Sequence, residues 1–354
     1  MDNRIATLRA AEFAPGTTYL NTASSGLLPA RAADPLRAAV TRMAAGTLDM
    51  VATFAAVDRA RAAFGRLAGV PVERVAVGTA VSTHVGMIAA SLPTGAEVLV
   101  AEGDFSSVVN PFTVRGDLKL RTAPLESLAD AVDAGTALIA VSAVQSADGR
   151  IADLAAIREA AREAGARTLI DTTQATGWLP LSAAAFDYTV CGAYKWLLCP
   201  RGTSFLTVSE EARESGALLP LHAGWVAAEL PWESCYGPIS RLAPDARRFD
   251  ESVPFLPYLG AEHALSLVEE LGQEAIGAHN RALAARFREG LRGLGYEPVR
   301  EDSAIVAVPG LGHAAERLSA ADVKIAVRDG NLRVAFHLYN TDGDVSRVLD
   351  LLAP

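Results

Sequence analysis

The chain has 354 residues, 50% of them hydrophobic, and a formal net charge of −9. No apolar run approaches the roughly 18 residues that a membrane span requires, and no basic stripe is available to neutralise nucleic-acid phosphates. The first residues lack the basic stretch and apolar core of a signal peptide, so we expect a cytoplasmic protein. The three cysteines, Cys191, Cys199 and Cys235, lack the spacing of zinc ligands, and we expect no metal site.

The first half of the chain predicts an α/β fold. We expect an irregular arm over residues 1–30, followed by a single helical stretch over residues 32–69. Continuous rather than alternating hydrophobicity in the segments that follow is typical of strands buried on both faces, as in a mostly parallel sheet covered by helices. The clearest helix covers residues 153–165, where Asp153 can cap the start and Gly165 can end the helix. The predicted strands lie at residues 75–77, 97–101, 137–142, 168–171, 188–191 and 204–208.

The second half of the chain predicts a smaller α+β domain. Residues 218–260 contain several prolines, two tryptophans and little periodicity, which indicates a loop-rich pocket wall. One long helix is expected over residues 260–293, and residues 303–354 alternate strand and helix patterns. We therefore expect an N-terminal arm (1–30), a large domain (31–260) and a small C-terminal domain (261–354), with part of the arm packed on the small domain.

Two residues at the ends of consecutive predicted strands indicate a chemistry. Asp171 ends one strand, Gln174 follows three residues later, and Lys195 follows the next apolar run. A lysine amine forms an imine with an aldehyde, and a carboxylate keeps a pyridine nitrogen protonated, so that the ring draws electrons from a substrate α-carbon. Pyridoxal phosphate requires this pair. We therefore predict that Lys195 and Asp171 are catalytic.

Polar and aromatic residues also follow other predicted strands. The turn Gly78-Thr79-Ala80 leads into a helix that carries Ser82, and free N–H groups at a helix start attract a phosphate. Taken alone, this turn is better explained by a structural role. Phe105 is placed to stack on a cofactor ring, while Gln145 and Ser146 offer amide and hydroxyl groups. All of these residues lie at carboxyl ends of predicted strands, where open α/β sheets bind ligands.

With these motifs, the chain resembles the class V aminotransferase family, which comprises pyridoxal phosphate enzymes of fold type I. The resemblance runs from Tyr19-Leu-Asn-Thr-Ala to Tyr339-Asn-Thr. It implies that Asp171 contacts the pyridine nitrogen, that Gln174 contacts the phenolic oxygen, and that Lys195 is the Schiff-base lysine. The cofactor-binding residues implied in this way are Gly78, Thr79, Ala80, Ser82, Phe105, Gln145, Ser146, Asp171, Gln174, Tyr194, Lys195 and Ser252.

The resemblance also implies substrate contacts and a homodimer. Arg333 lies in a segment similar to the one whose arginine clamps the substrate carboxylate, a role suited to a planar two-pronged donor. Asn21 and Ser25 are implied to line the substrate site. The family threonine that reaches the partner's phosphate corresponds to Val253, which cannot make that contact, and Ser252 is the candidate replacement.

One departure from the family bears on the reaction. In cysteine desulfurases, a loop with a nucleophilic cysteine separates the Val-Arg-x-Gly strand from the clamping arginine. Here Val327-Arg-Asp-Gly-Asn-Leu-Arg333 leaves no room for that loop, and no cysteine follows Cys235. We therefore expect no persulfide-forming desulfurase activity.

The reaction is less narrowly defined than the cofactor. The chain is most similar to members such as hercynylcysteine sulfoxide lyases and isopenicillin N epimerase-like proteins. We expect β-elimination from an S-substituted cysteine or its sulfoxide, giving a thiol or sulfenate, pyruvate and ammonia. The alternatives are decarboxylating deamination, transamination or epimerisation of a cysteine conjugate or another amino acid in a natural-product pathway, and a non-catalytic pyridoxal-phosphate-binding protein.

Overall fold

The computed structural model of the protein describes residues 2–252 and 254–353. Its strands are β1 (Thr18–Tyr19), β2 (Val75–Gly78), β3 (Glu97–Ala101), β4 (Lys119–Ala123), β5 (Thr136–Ser142), β6 (Arg167–Asp171), β7 (Tyr188–Gly192), β8 (Ser204–Val208), β9 (Ile305–Val308), β10 (Val323–Lys324), β11 (Ala326–Arg328) and β12 (Asn331–Ala335). Its helices are α1 (Asp2–Glu12), α2 (Ala30–Ala44), α3 (Met50–Ala68), α4 (Val81–Ser91), α5 (Ser106–Thr113), α6 (Leu154–Ala164), α7 (Glu210–Glu214), α8 (Phe255–Leu271), α9 (Gln273–Gly293), α10 (Ala315–Ala320) and α11 (Asp342–Leu352).

A seven-stranded sheet with the order β2-β8-β7-β6-β5-β3-β4 forms the centre of the larger part of the molecule. Strands β4, β3, β5, β6 and β7 pair in parallel, and only β8 runs antiparallel to both of its neighbours. The mostly parallel sheet expected from the sequence is confirmed. Strand β4 was not predicted, because it lies at the sheet edge and its residues are mostly half-buried or exposed.

The strands of this sheet are apolar on both faces because helices cover both faces. In β3, Leu99 belongs to the core cluster that contains Phe64 of α3 and Leu265 of α8. Its neighbour Val98 belongs to the cluster that contains Val85 of α4 on the opposite face. Successive side chains of a strand point to opposite faces, so continuous hydrophobicity is the pattern this architecture requires.

Three sequence-based element predictions were wrong in detail. The arm is not irregular throughout, since α1 occupies its start. The expected helix over residues 32–69 is two helices: Gly46 adopts a φ of 69° between them, and the Asp49 side chain caps α3 by accepting the N–H of Ala52. The expected helix over residues 260–293 is also two helices, which meet at Gly272 with a φ of 82°. Helical periodicity continued through these breaks in the sequence and concealed them.

The helix predicted over residues 153–165 is confirmed together with both of its ends. The Asp153 side chain accepts the N–H of Ala156 at 3.0 Å, and Gly165 ends α6 with a φ of 70°. The left-handed conformation is one that glycine adopts without a steric cost.

A second sheet, with the antiparallel order β11-β12-β9, packs with α9 and α11 around Phe287, Val334 and Val348. The N-terminal segment contacts this part of the chain, because β1 pairs with β10 and Asn21 bridges to Ala335. Asp329 and Gly330, both with positive φ, form the turn between β11 and β12. The short interval before Arg333 is therefore a tight hairpin. Among the described helices, none is both long enough and apolar enough to cross a membrane.

Candidate active site

A cavity of about 170 Å³ lies at the carboxyl edge of the large sheet. The ends of β2, β5, β6 and β7 and the start of α4 converge there, as expected for an open α/β sheet. The cavity is lined by Thr79, Ala80, Val81, Ser82, Phe105, Ser107, Ser142, Ser146, Asp171, Thr173, Gln174, Tyr194, Lys195 and Arg201. Nine of the predicted site residues therefore share one cavity, namely Thr79, Ala80, Ser82, Phe105, Ser146, Asp171, Gln174, Tyr194 and Lys195.

Asp171 is a buried carboxylate that has no salt-bridge partner in the described part of the chain. It ends β6, is 5% exposed, and accepts the N–H of Thr173 at 2.8 Å. Burial raises its pKa to about 6, while the hydrogen bonds from Thr173 and the charge of Lys195 act in the opposite direction. A buried anion without a paired cation suits a ligand that brings a cationic N–H, as a protonated pyridine does.

Lys195 presents its amine to the same cavity. It follows β7, is 4% exposed, and places Nζ 5.2 Å from the centroid of the Phe105 ring. Burial lowers the pKa of Lys195 to about 8; the negative charge of Asp171 opposes this shift and the positive charge of Arg333 adds to it. A substantial fraction of neutral, nucleophilic amine is therefore present near neutral pH.

Gln174 is held by three hydrogen bonds. Its Nε2 donates to Ala23 O and Ser146 Oγ, both at 2.9 Å, and its Oε1 accepts the indole N–H of Trp196 at 2.7 Å. Both amide hydrogens are thus in use. Because Ser146 Oγ accepts from Gln174, the Ser146 hydroxyl hydrogen remains available to donate into the cavity.

Arg333 is a buried guanidinium without a carboxylate partner among the described residues. It is 1% exposed, and it donates to Ser146 O at 2.5 Å and to Ser24 Oγ at 2.6 Å, while its Nε has no partner. Burial first, and the neighbouring charge of Arg328 second, lower its pKa to about 9. Arg328 also donates to Ser24 Oγ, at 3.3 Å. Two cations therefore converge on one hydroxyl beside Ser146, where an anionic group would be stabilised.

The glycine turn before α4 offers backbone donors but few hydroxyls. Ala80, the N-cap residue of α4, has no side chain that can accept from the first turn of the helix. Thr79 donates its N–H and its hydroxyl to the carboxylate of Glu251. Gly78 donates its N–H to Tyr258 Oη at 3.1 Å, which fixes the turn against α8.

Six predicted site residues do not line the cavity. Gly78 and Arg333 are described above, and the other four are Gln145, Asn21, Ser25 and Ser252. Gln145 is buried with an unpartnered Nε2, and Asn21 has a buried Oδ1 without a partner in the described chain. Ser25 Oγ donates to Gly26 O at 3.4 Å, so Ser24, and not Ser25, contacts Arg333. Ser252 is exposed, and Val253 lies outside the described residues.

Four residues that border this site were not predicted from the sequence, namely Ser24, Arg201, Glu251 and Arg328. Ser24 directly follows the Tyr19-Leu-Asn-Thr-Ala motif, Arg328 lies in the Val327-Arg-Asp-Gly segment, and Arg201 follows Lys195 by only six residues. Glu251 directly precedes Ser252, but the sequence does not predict its contact with Thr79, because that contact joins segments 172 residues apart.

Two histidines near the site are packing residues. Burial lowers the pKa of His84 to about 4 and that of His337 to about 3, so both are neutral at physiological pH. His84 Nε2 bonds to Ser204 Oγ, and His337 Nε2 donates to Trp196 O, each at 3.0 Å. Neither side chain lines the cavity.

This sheet topology, with a lysine and a carboxylate buried together at its carboxyl edge, is that of a fold type I pyridoxal phosphate enzyme. The family model for Aminotransferase class-V matches residues 18–348, and the chain belongs to this family. The cofactor predicted from the sequence, pyridoxal 5'-phosphate, is thereby confirmed. The buried Asp171 and Lys195 fit its pyridine nitrogen and its aldehyde.

Individual relatives support the family and the fold. The chain is 30% identical over 382 residues to isopenicillin N epimerase of Amycolatopsis lactamdurans, which covers 96% of this chain and 95% of the relative. The structure of the cysteine desulfurase CsdA from Escherichia coli matches with a TM-score of 0.85 at 19% identity, covering 98% of this chain and 97% of that one. A complex between the cystine C-S lyase C-DES and its product cysteine persulfide matches with a TM-score of 0.84 at 21% identity, covering 96% and 98%. At such identities, the two structures show the fold alone.

Proposed function

We propose that the protein is a pyridoxal-phosphate-dependent C–S lyase that acts on an S-substituted L-cysteine or its sulfoxide by β-elimination. One observation carries this proposal: among the described residues, Lys195 is the one side-chain amine that lines the cavity, and no histidine lines it. A single proton carrier is sufficient for elimination, because the group that removes the α-proton can return it to the departing sulfur.

Lys195 and Asp171 divide the chemistry between them. When bound, pyridoxal phosphate supplies an electron sink that stabilises negative charge at the substrate α-carbon. The negative charge of Asp171 would keep the pyridine nitrogen of the cofactor protonated. Lys195 Nζ takes the α-proton, the Cβ–S bond breaks with its electron pair leaving on sulfur, and Nζ protonates the sulfur. The remaining three-carbon unit takes up water to give pyruvate and ammonium.

Arg333 orients the substrate. Its Nη2 and Nε atoms and the adjacent Arg328 present positive charge without a neighbouring carboxylate, so the substrate carboxylate is the natural partner. Ser146 contacts both Arg333 and Gln174. It therefore connects the carboxylate clamp to Gln174, and its free hydroxyl hydrogen would be the donor available to the cofactor's phenolic oxygen.

The hairpin between β11 and β12 supports elimination over sulfur transfer to the protein. Its turn, at Asp329 and Gly330, leaves no loop that could carry a cysteine to the cavity. The cystine C-S lyase among the structural neighbours demonstrates that this fold accommodates C–S cleavage.

Epimerisation is the second candidate, and the full-length similarity to isopenicillin N epimerase favours it. An epimerase must deliver a proton to the face opposite the one from which it was removed. In the cavity, the titratable groups besides Lys195 are Asp171, Tyr194 and Arg201. With Asp171 assigned to the cofactor nitrogen, Tyr194 is the proton donor that the described lining leaves for this step, and burial raises its pKa, which makes it a weak acid.

The proposal also includes the setting of the enzyme. We propose a cytoplasmic homodimer in which Ser252 approaches the partner's phosphate site. The division into an arm at residues 1–30, a large domain at 31–260 and a small domain at 261–354 belongs to the same proposal. A cysteine conjugate of a natural-product pathway is the proposed substrate.

Incubation with S-substituted L-cysteines and their sulfoxides in deuterated water separates the candidate reactions. Elimination predicts pyruvate and a released thiol or sulfenate, identified by mass spectrometry. A D-amino acid carrying α-deuterium with no sulfur release identifies an epimerase. An aldehyde, a keto acid that retains the sulfur substituent, or pyridoxamine phosphate, again with no sulfur release, identifies a deaminase or aminotransferase.

Two controls accompany this experiment. Lys195→Ala should bind pyridoxal phosphate without developing the visible absorbance of the lysine-linked cofactor and should release no pyruvate. If the wild-type protein stays colourless with added cofactor, the enzymatic proposal as a whole is wrong.

A further inference from the structure

Arg201 lies at the cavity wall without an assigned role. It lines the same cavity as Thr79, Ala80 and Ser82, the residues of the glycine turn and the start of α4. In the described part of the chain it makes no hydrogen bond or salt bridge, and its recorded contact is with the ring of Tyr194, whose centroid is 4.6 Å from Arg201 Cζ. An arginine held at a cavity without an anion is available to bind one.

We propose that Arg201 binds the phosphate group of the cofactor. A guanidinium can donate two parallel N–H bonds to a phosphate, and it carries the charge that a dianion requires. The N–H groups at the uncapped start of α4 contribute further donors from the turn side. Arg201 and the helix start together would enclose the phosphate between side-chain and backbone donors.

The local composition explains why a cation is needed here. Ala80 supplies no hydroxyl, and the one hydroxyl of the turn, on Thr79, is donated to Glu251 at 2.7 Å. The Glu251 carboxylate also places negative charge at the position where a dianion must bind. Backbone N–H groups and a helix dipole, worth about half an elementary charge, do not balance that charge alone.

Tyr194 contacts a cation at each end of the proposed site. Lys195 Nζ lies 5.8 Å from the centroid of the Tyr194 ring, and Arg201 Cζ lies 4.6 Å from the same centroid. The amine that takes the aldehyde and the guanidinium assigned to the phosphate therefore both lie within 5.8 Å of the centroid of one ring. Gly202, with a φ of 98°, forms the turn directly after Arg201 and lies against Pro257. A side chain at Gly202 would displace this turn.

This inference rests on the proposed position of the cofactor, and it is tested by comparing pyridoxal phosphate with pyridoxal, which lacks the phosphate. Cofactor-free wild type, Arg201→Gln and Arg201→Lys are titrated with each compound, and the visible absorbance of the lysine-linked form is followed. Arg317→Gln, which changes an exposed arginine on α10, is the matched control. Thermal unfolding of each cofactor-free variant verifies that the fold is retained.

Arg201→Gln should weaken binding of pyridoxal phosphate by about 10- to 100-fold, as expected for hydrogen bonds between charged groups. Arg201→Lys should recover part of this loss, and pyridoxal binding should be equal in all variants. An unchanged affinity for pyridoxal phosphate in Arg201→Gln, or an equal loss for both compounds, overturns the assignment. If wild type forms the absorbing species with neither compound, the proposed function fails instead.

Discussion

Glu251 occupies donors that an anionic ligand of the glycine turn would use, so its replacement by glutamine should strengthen the binding of pyridoxal phosphate. The Glu251 carboxylate accepts the N–H of Thr79 and lies 2.7 Å from Thr79 Oγ. A phosphate that binds this turn must displace the carboxylate from both donors. It must then remain close to the displaced negative charge. Glutamine keeps the shape of the side chain and removes that charge.

The magnitude follows from the two contacts. A hydrogen bond that involves a charged group contributes about 1.5–3 kcal/mol, and one between neutral groups about 0.5–1.5 kcal/mol. Glutamine should therefore compete less well for the turn by about 1 kcal/mol for each of the two contacts, or about 2 kcal/mol together. Because Glu251 is half-buried, solvent reduces its repulsion of the phosphate to about 1 kcal/mol or less. The sum, about 2–3 kcal/mol, corresponds to an affinity gain of about 30- to 100-fold.

Titration of cofactor-free Glu251→Gln with pyridoxal phosphate, followed by visible absorbance, measures this gain. Pyridoxal serves as the phosphate-free ligand, and Glu289→Gln, at an exposed position of α9, serves as the matched variant. The gain should appear only with pyridoxal phosphate and only in Glu251→Gln. An equal or weaker affinity in Glu251→Gln, or the same gain with pyridoxal, would refute the reasoning.

Two further predictions concern the scaffold and the amine. Arg61→Met should destabilise the protein by about 3–5 kcal/mol, because Asp250, 3% exposed, loses guanidinium contacts at 2.6 and 3.0 Å. Arg59→Met removes only the exposed pair with Glu262 and should cost less than about 1 kcal/mol; urea unfolding measures both. Capture of pyridoxal phosphate by the cofactor-free protein should accelerate with pH through about 8, because only neutral Lys195 attacks the aldehyde and burial lowers its pKa to that value. Asp171→Asn should move this midpoint lower, because the charge of Asp171 raises the pKa of Lys195. A wild-type midpoint near 10.5, which is the ordinary pKa of a lysine, contradicts the assignment, and so does an upward shift in the variant.

The convergence of Asp171, Lys195 and Phe105 could be predicted because each follows a continuously apolar run. Such runs form parallel strands, and the carboxyl ends of parallel strands meet at one edge whatever their order in the sheet. The positions of these residues in the sequence are therefore sufficient to predict that they share one site. The same logic missed β4, whose edge position leaves it without an apolar run.

Contacts between side chains on distant segments could not be predicted in this way. The bond between Thr79 and Glu251 and the hydrogen bond from Arg333 to Ser24 depend on how loops are packed, and loops carry no periodic signal. The predicted direct role of Gln174 is similarly modified by its neighbours, since its amide hydrogens go to Ala23 and Ser146. The sequence identifies which groups are present, and packing decides which of their hydrogens remain free.

The accessibility of the three cysteines leads to the last prediction. Cys191 and Cys199 are buried, and burial raises the pKa of both thiols, that of Cys191 to about 12. Their reactive thiolate forms are therefore scarce at neutral pH. Cys235 is exposed, and its Sγ lies 3.6 Å from Trp232 O. Cys235 does not line the cavity.

Cys235→Ser should therefore cleave S-substituted cysteines as fast as wild type, because sulfur leaves with the product and is never taken up by the protein. Treatment of wild type with iodoacetamide, which modifies the exposed thiol, should give the same result. Cys235→Ala, matched in size without a hydroxyl, guards against an effect of the serine itself. If both variants bind pyridoxal phosphate normally but lose turnover, and wild type carries a persulfide on Cys235 by mass spectrometry, the protein transfers sulfur to a cysteine after all. In that case the short β11–β12 hairpin excludes only one route for a cysteine to reach the site, and β-elimination is not the reaction.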